Sequence, residues 1–87
     1  MLMNTVLGLI QNKVKTKILT VTSTTSHIVH NLIYIPANDE LQVFYKGVLL
    51  DRGINYNDNN DHLSIDLIDW TISSGEDVKF VLYRNVK

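Results

Sequence analysis

Turn-forming residues punctuate this chain roughly every eight to twelve positions, and most stretches between them alternate apolar with polar side chains. A period of two puts successive side chains on opposite faces, so it specifies half-buried strands. Glu40–Lys46 is the clearest case: Leu41, Val43 and Tyr45 face one way, Gln42, Phe44 and Lys46 the other. Lys46-Gly47 supplies a tight turn, because glycine accepts positive φ, and Val48-Leu49-Leu50 runs back. Asp51-Arg52-Gly53 predicts a second turn, Ile54-Asn55-Tyr56 a short extended piece, and residues 57–61 (Asn-Asp-Asn-Asn-Asp) a loop tip.

Leu63, Ile65 and Leu67 alternate with Ser64 and Asp66, then the phase flips and Ile68, Trp70 and Ile72 become the apolar set. A flip inside one β run predicts a bulge or a corner between sheets. After a turn at residues 73–77, Val78, Phe80 and Leu82 face inward, with Lys79, Val81 and Tyr83 behind them. That second face is not very polar, which predicts that it too is covered. Upstream, Thr16–Thr22 is rich in β-branched residues, with Leu19 and Val21 on one face. Ser26–Ile35 is expected as a longer second strand, with a break at His30-Asn31, ended by Pro36-Ala37-Asn38-Asp39. Residues 1–15 read differently. Leu2, Val6, Leu9, Ile10 and Val14 share a helical stripe that Asn4 or Thr5 would cap, while Gly8 weakens it. A short helix or an extended arm fits this segment, followed by one domain over 16–87. The expected fold is all-β: a small antiparallel sandwich or barrel-like domain.

Length makes the domain's surface a problem. The chain has 87 residues, and a domain of that size buries only about 60–65% of its unfolded surface. Self-association would cover the remaining apolar face and the sheet edges. With no cysteine, disulfide staples, thiolate nucleophiles and Cys-ligated zinc are excluded. A net charge of -1 argues against nucleic acid as the main partner. The one basic cluster, Lys13, Lys15 and Lys17, shares a strand face and reads as a solvated face or a lysine-protected edge. No apolar run approaches the ~20 residues that span a bilayer, so membrane insertion is not expected. Met1–Ile10 lacks the charged start and cleavage site of a signal peptide. The expected location is the cytosol, or a particle assembled there.

Candidate chemistry is sparse. Of the serines, Ser23, Ser26, Ser73 and Ser74 fall in or beside turns, and none, Ser64 included, lies in a nucleophile motif. His27 and His30 sit an odd number apart and would face opposite sides of a strand, so with His62 they read as surface or turn residues and not as metal ligands. Residues 58–61 offer oxygen donors, but the calcium-loop pattern fails where Leu63 takes the glycine position. Asp66 and Asp69 point to opposite faces of a regular strand and read as solvated charges. The four glycines form no phosphate loop. No catalytic residue, metal ligand or cofactor is expected, and the reading is of a protein that is not an enzyme. Phe44 and Phe80 are expected in the core. Trp70 suits either core packing or a platform, and Trp70, Tyr83, Val81, Tyr34 and Tyr56 are the candidates for an interface or a ligand-binding surface.

Three stretches carry a resemblance: Glu40-Leu41-Gln42-Val43-Phe44-Tyr45-Lys46-Gly47-Val48-Leu49-Leu50, then Gly53-Ile54-Asn55-Tyr56, then Gly75-Glu76-Asp77-Val78-Lys79-Phe80-Val81-Leu82-Tyr83. Together they resemble small β-sandwich modules of tailed-bacteriophage tail, baseplate and fibre proteins, over roughly residues 16–85. The resemblance implies a virion component, present in the host cytoplasm during assembly. It implies a homo-oligomer, trimer or hexamer, that contacts other tail or baseplate proteins, with Gly47 and Gly75 at turns and Trp70 in packing. It also brings in host-surface polysaccharide as an alternative ligand. Apart from the resemblance, a third reading is a small regulatory protein that pairs an edge strand with its partner.

Overall fold

The computed structural model describes residues 14–84. They form β1 (Val14–Thr20), β2 (His27–Val29), β3 (Glu40–Tyr45), β4 (Val48–Leu49), β5 (Tyr56–Asp58), β6 (Ser64–Leu67) and β7 (Asp77–Tyr83). Two antiparallel sheets result, one ordered β1-β7-β3-β4 and the other β2-β6-β5. The all-β, sandwich-like expectation is met, and there is no helix among the described residues. The expected N-terminal helix or arm lies outside them, except for Val14 and Lys15, which open β1.

Alternation sets the core. In β7 Val78, Phe80 and Leu82 are fully buried, and their register partners on β3, Tyr45, Val43 and Leu41, share that inner face. The other sheet answers with Ile28, Ile65, Tyr56 and Leu67. On the edge strand β1, Lys17 lies opposite Phe80 and Lys15 opposite Leu82, so both lysines stand on the inward side. The Lys17 ammonium escapes burial by donating to the His30 carbonyl, 2.7 Å away. Inward-pointing charge on an edge strand obstructs pairing with a further strand, which is the edge-protecting role expected of these lysines.

The phase flip after Leu67 has a simple geometric origin. Between the Thr25–Ile72 bridge and the His27–Asp66 pair, one segment advances two residues and the other six, so four extra residues bulge outward. Asp69 makes the bend at φ 63°. The Asn55 carbonyl pins the bulge, accepting the Ile68 N–H at 3.0 Å and the Trp70 indole N–H at 2.8 Å. Here the chain passes from one sheet to the other, as expected.

Three expectations need correction. The second strand ends at Val29, because Asn31 takes φ 56° and turns the chain out of the ladder. Residues 54–55 form a turn instead of an extended piece, with the Ile54 and Asn55 N–H groups both bonded to the Asp51 carbonyl. Asn57 and Asp58 therefore belong to β5, and the loop tip falls at 59–62.

Candidate functional site

The outer face of the four-stranded sheet is built from the residues that alternation leaves behind. Register places them in rows across the strands. Val14, Tyr83 and Glu40 form one row, Thr16, Val81 and Gln42 the next, then Ile18, Lys79, Phe44 and Leu49, and finally Thr20 with Asp77. Ile18 is 61% exposed, Leu49 46% and Val14 41%, while Phe44 and Tyr83 are half-buried between them. A groove of about 520 Å³ opens on this face beside Ile18, Phe44, Gly47, Asp77 and Lys79. Val14, Ile18 and Leu49 are the exposed aliphatic side chains of this face, Val81 at its centre is buried, and Glu40, Lys79 and Asp77 are its charges.

The charges on the face are arranged around it. Lys79 lies over the Phe44 ring at 5.7 Å and makes no ion pair among the described residues. Asp77 accepts the Thr20 hydroxyl at 2.6 Å. At the corner of the groove, Glu76 accepts the Tyr45 hydroxyl at 2.8 Å and the Ser73 N–H at 3.2 Å, and pairs with Lys46 at 3.0 Å. The Tyr45 and Lys46 bonds hold the Glu76 carboxyl below its ordinary range, and the same contacts raise Tyr45 and Lys46. This knot ties the β3–β4 turn to the loop before β7. It supplies fixed, mutually satisfied charges and no free acid or base.

The structure divides the residues singled out by sequence. Val81 and Tyr83 lie on the outer face, Val81 in its centre. Tyr34 and Tyr56 are 5% and 2% exposed and pack inside the sandwich. Trp70 is half-buried, its ring 5.3 Å from Tyr45 and its N–H satisfied within the chain. These five aromatic and aliphatic residues therefore do not form one platform. Phe80 takes its expected core place, but Phe44 stands on the outer face, as the alternation of β3 requires.

Sequence reading also misplaced His30, expected at a surface or turn. It is fully buried, 5.1 Å from the Phe80 ring and 6.2 Å from Tyr34, and its Nδ1 accepts the Leu32 N–H at 2.9 Å. Nδ1 is thus the unprotonated nitrogen of a neutral ring. Burial lowers its pKa; Lys17 adds to that effect, and Asp58 and Asp61 oppose it. Burial and then Asp58 raise the Tyr34 hydroxyl above the ordinary tyrosine range. The break expected at His30-Asn31 is present, with Asn31 at φ 56°, but the sequence does not show that it turns His30 inward. His27 and Asp66 form a surface pair at 2.7 Å across β2 and β6. Asp58 pairs with Arg52 at 3.0 Å through Oδ2 while its buried Oδ1 has no hydrogen-bond partner among the described residues, and Asp61 accepts the Leu63 N–H at 2.9 Å. Among the described residues no three His, Asp or Glu side chains are grouped to hold a metal ion.

Comparison with protein-family models, with curated proteins and with solved structures gave no match.

Proposed function

We propose that this domain is a non-enzymatic assembly module, a tail, baseplate or fibre component of a bacteriophage virion. It acts by packing on copies of itself and on neighbouring virion proteins. The observation that carries this reading is the apolar outer face of the four-stranded sheet, with Ile18 and Leu49 exposed at its two edges. Water contact with these side chains costs roughly 25 cal/mol per Å² of apolar surface, and a protein neighbour removes that cost. The resemblance of residues 40–50, 53–56 and 75–83 to phage tail modules supplies the virion setting. A polysaccharide platform has less support, since Tyr34 and Tyr56 are interior and the half-buried Trp70 packs tilted against Tyr45.

The test is the absolute mass of the purified chain by light scattering on a sizing column, across a dilution series. A defined multiple of the 9.9 kDa chain mass is the expected result. A monomer at every concentration up to about the millimolar range, where even weak interfaces associate, contradicts self-assembly.

A further inference from the structure

We propose that the inner end of the three-stranded sheet holds one buried water molecule, shared by the side chains of His30, Tyr34, Asp58 and His62. The proposal is independent of the assembly reading above. Among the described residues, four buried side-chain nitrogen and oxygen atoms have no hydrogen-bond partner: His30 Nε2, Tyr34 Oη, Asp58 Oδ1 and His62 Nδ1. An unmade hydrogen bond in a protein interior costs free energy at each such atom. Buried polar atoms without a protein partner are commonly served by internal water.

The four atoms belong to one place in the fold. Register sets Ile28, Ile65 and Asp58 in one row across β2, β6 and β5. Ile28 and Ile65 are buried, so the Asp58 side chain, 16% exposed, stands on the same inner face. Just beyond that row the His30 and Asn31 N–H groups both bond the Leu63 carbonyl, which brings His30 and His62 to the same end of the sheet. There the fully buried His30 ring lies 6.2 Å from the Tyr34 ring, and the Tyr34 ring 5.8 Å from that of His62, between centroids. The Asp58 charge acts on both His30 and Tyr34. The four side chains are neighbours, yet no two of these atoms bond one another.

Donors and acceptors select the occupant. His30 Nδ1 accepts the Leu32 N–H, so the neutral ring carries its proton on Nε2, and that atom needs an acceptor. A metal ion cannot take the place, because a protonated ring nitrogen has no lone pair to give. Asp58 Oδ2 is engaged by Arg52 at 3.0 Å, which leaves Oδ1 as an acceptor in need of a donor. An anion has no hydrogen to offer Asp58 and would stand against its carboxylate. Water meets both demands. It accepts from His30 Nε2–H and the Tyr34 hydroxyl, and it donates to Asp58 Oδ1 and His62 Nδ1. So held, it joins the segment after β2 to the loop between β5 and β6, a link these side chains do not make directly.

The test is NMR of the isotopically labelled wild-type chain at neutral pH, with a crystal structure beside it. The His30 imidazole is expected to carry its proton on Nε2, in exchange slow enough to observe. That proton should give a rotating-frame cross-peak to water with the sign of dipolar contact and not of exchange. The crystal is expected to show one water within about 3.2 Å of the four atoms. Tyr34→Phe, with its fold checked by Trp70 fluorescence, should keep the His30–water cross-peak, because three partners remain. A His30 proton bonded directly to the Tyr34 hydroxyl or to Asp58, with no water between, overturns the proposal. So does loss of the cross-peak in folded Tyr34→Phe, which gives the hydroxyl as the partner of His30. An unprotonated Nε2 whose resonance shifts when zinc is added overturns it in favour of a metal ion. None of these outcomes bears on self-assembly.

Discussion

Replacing Phe80 with alanine should come close to unfolding the domain. Phe80 is fully buried at the centre of β7, paired in register with Lys17 on one side and Val43 on the other, with the His30 ring 5.1 Å away. A buried phenylalanine removes about 150–250 Å² from water. At about 25 cal/mol per Å² this is worth roughly 4–6 kcal/mol as an upper figure, and large-to-small substitutions of buried aromatics cost about 3–5 kcal/mol. A chain of this length has about 4–13 kcal/mol of total stability to lose. The expected result is a fall in Tm of about 12–30 °C, read by circular dichroism. Leu49→Ala, on the exposed face, should lower the monomer's Tm by no more than a few degrees. Comparable losses from the two substitutions would refute the assignment of inner and outer faces on which everything else rests.

Acid should destabilise the domain partly through His30. Its native pKa lies below the unfolded value of 6.5, so its contribution is present above 6.5 and is lost as pH falls through that value. His30→Asn, which keeps an acceptor for the Leu32 N–H and cannot titrate, should flatten the dependence of urea-unfolding stability on pH between about 5 and 7; an unchanged slope would contradict it. Glu76→Gln should move the Tyr45 titration down toward the ordinary tyrosine range, because the carboxylate bond that raises it is gone; ring NMR resonances followed from pH 8 to 12 would show this. Gly47→Ala meets no atom within 4 Å but must hold φ +79°, so it should cost about 1–2 kcal/mol through backbone strain alone, measured as a shift in urea midpoint.

How far the sequence reveals the fold depends on which force acts where. Strands whose side chains alternate strictly, such as residues 40–45 and 77–83, are legible because burial of one face dictates their period. The corner at residues 68–72 was legible for the same reason, as a change of phase. The second strand was over-extended because Ile33 and Ile35 continue the β-branched pattern, although Asn31 has already left the strand conformation. Ile33 is 73% exposed and packs in no core. The loop tip slipped by two residues because Asn57 and Asp58 carry turn composition, yet ladder bonds to Asp66 and Ile65 hold them in β5. Of the candidate surface, Val81 and Tyr83 were visible as an insufficiently polar second face. Ile18 and Leu49 were not, because only the strand order brings β1 and β4 to the two edges of that face. Tyr34 and Tyr56 misled because a tyrosine's polar tip is equally suited to an interface and to a buried polar cluster beside Asp58 and Arg52.

The central claim is that the outer face of the four-stranded sheet is where this protein meets its own kind. Backbone amide NMR spectra of the labelled chain, compared between concentrated and dilute samples, test it most directly. The account predicts concentration-dependent shifts at Thr16–Ile18, Lys79–Val81, Gln42–Phe44 and Leu49, with residues 27–29 and 64–67 of the other sheet unchanged. Shifts confined to His27, Val29 and Asp66, or no shift anywhere, would contradict it.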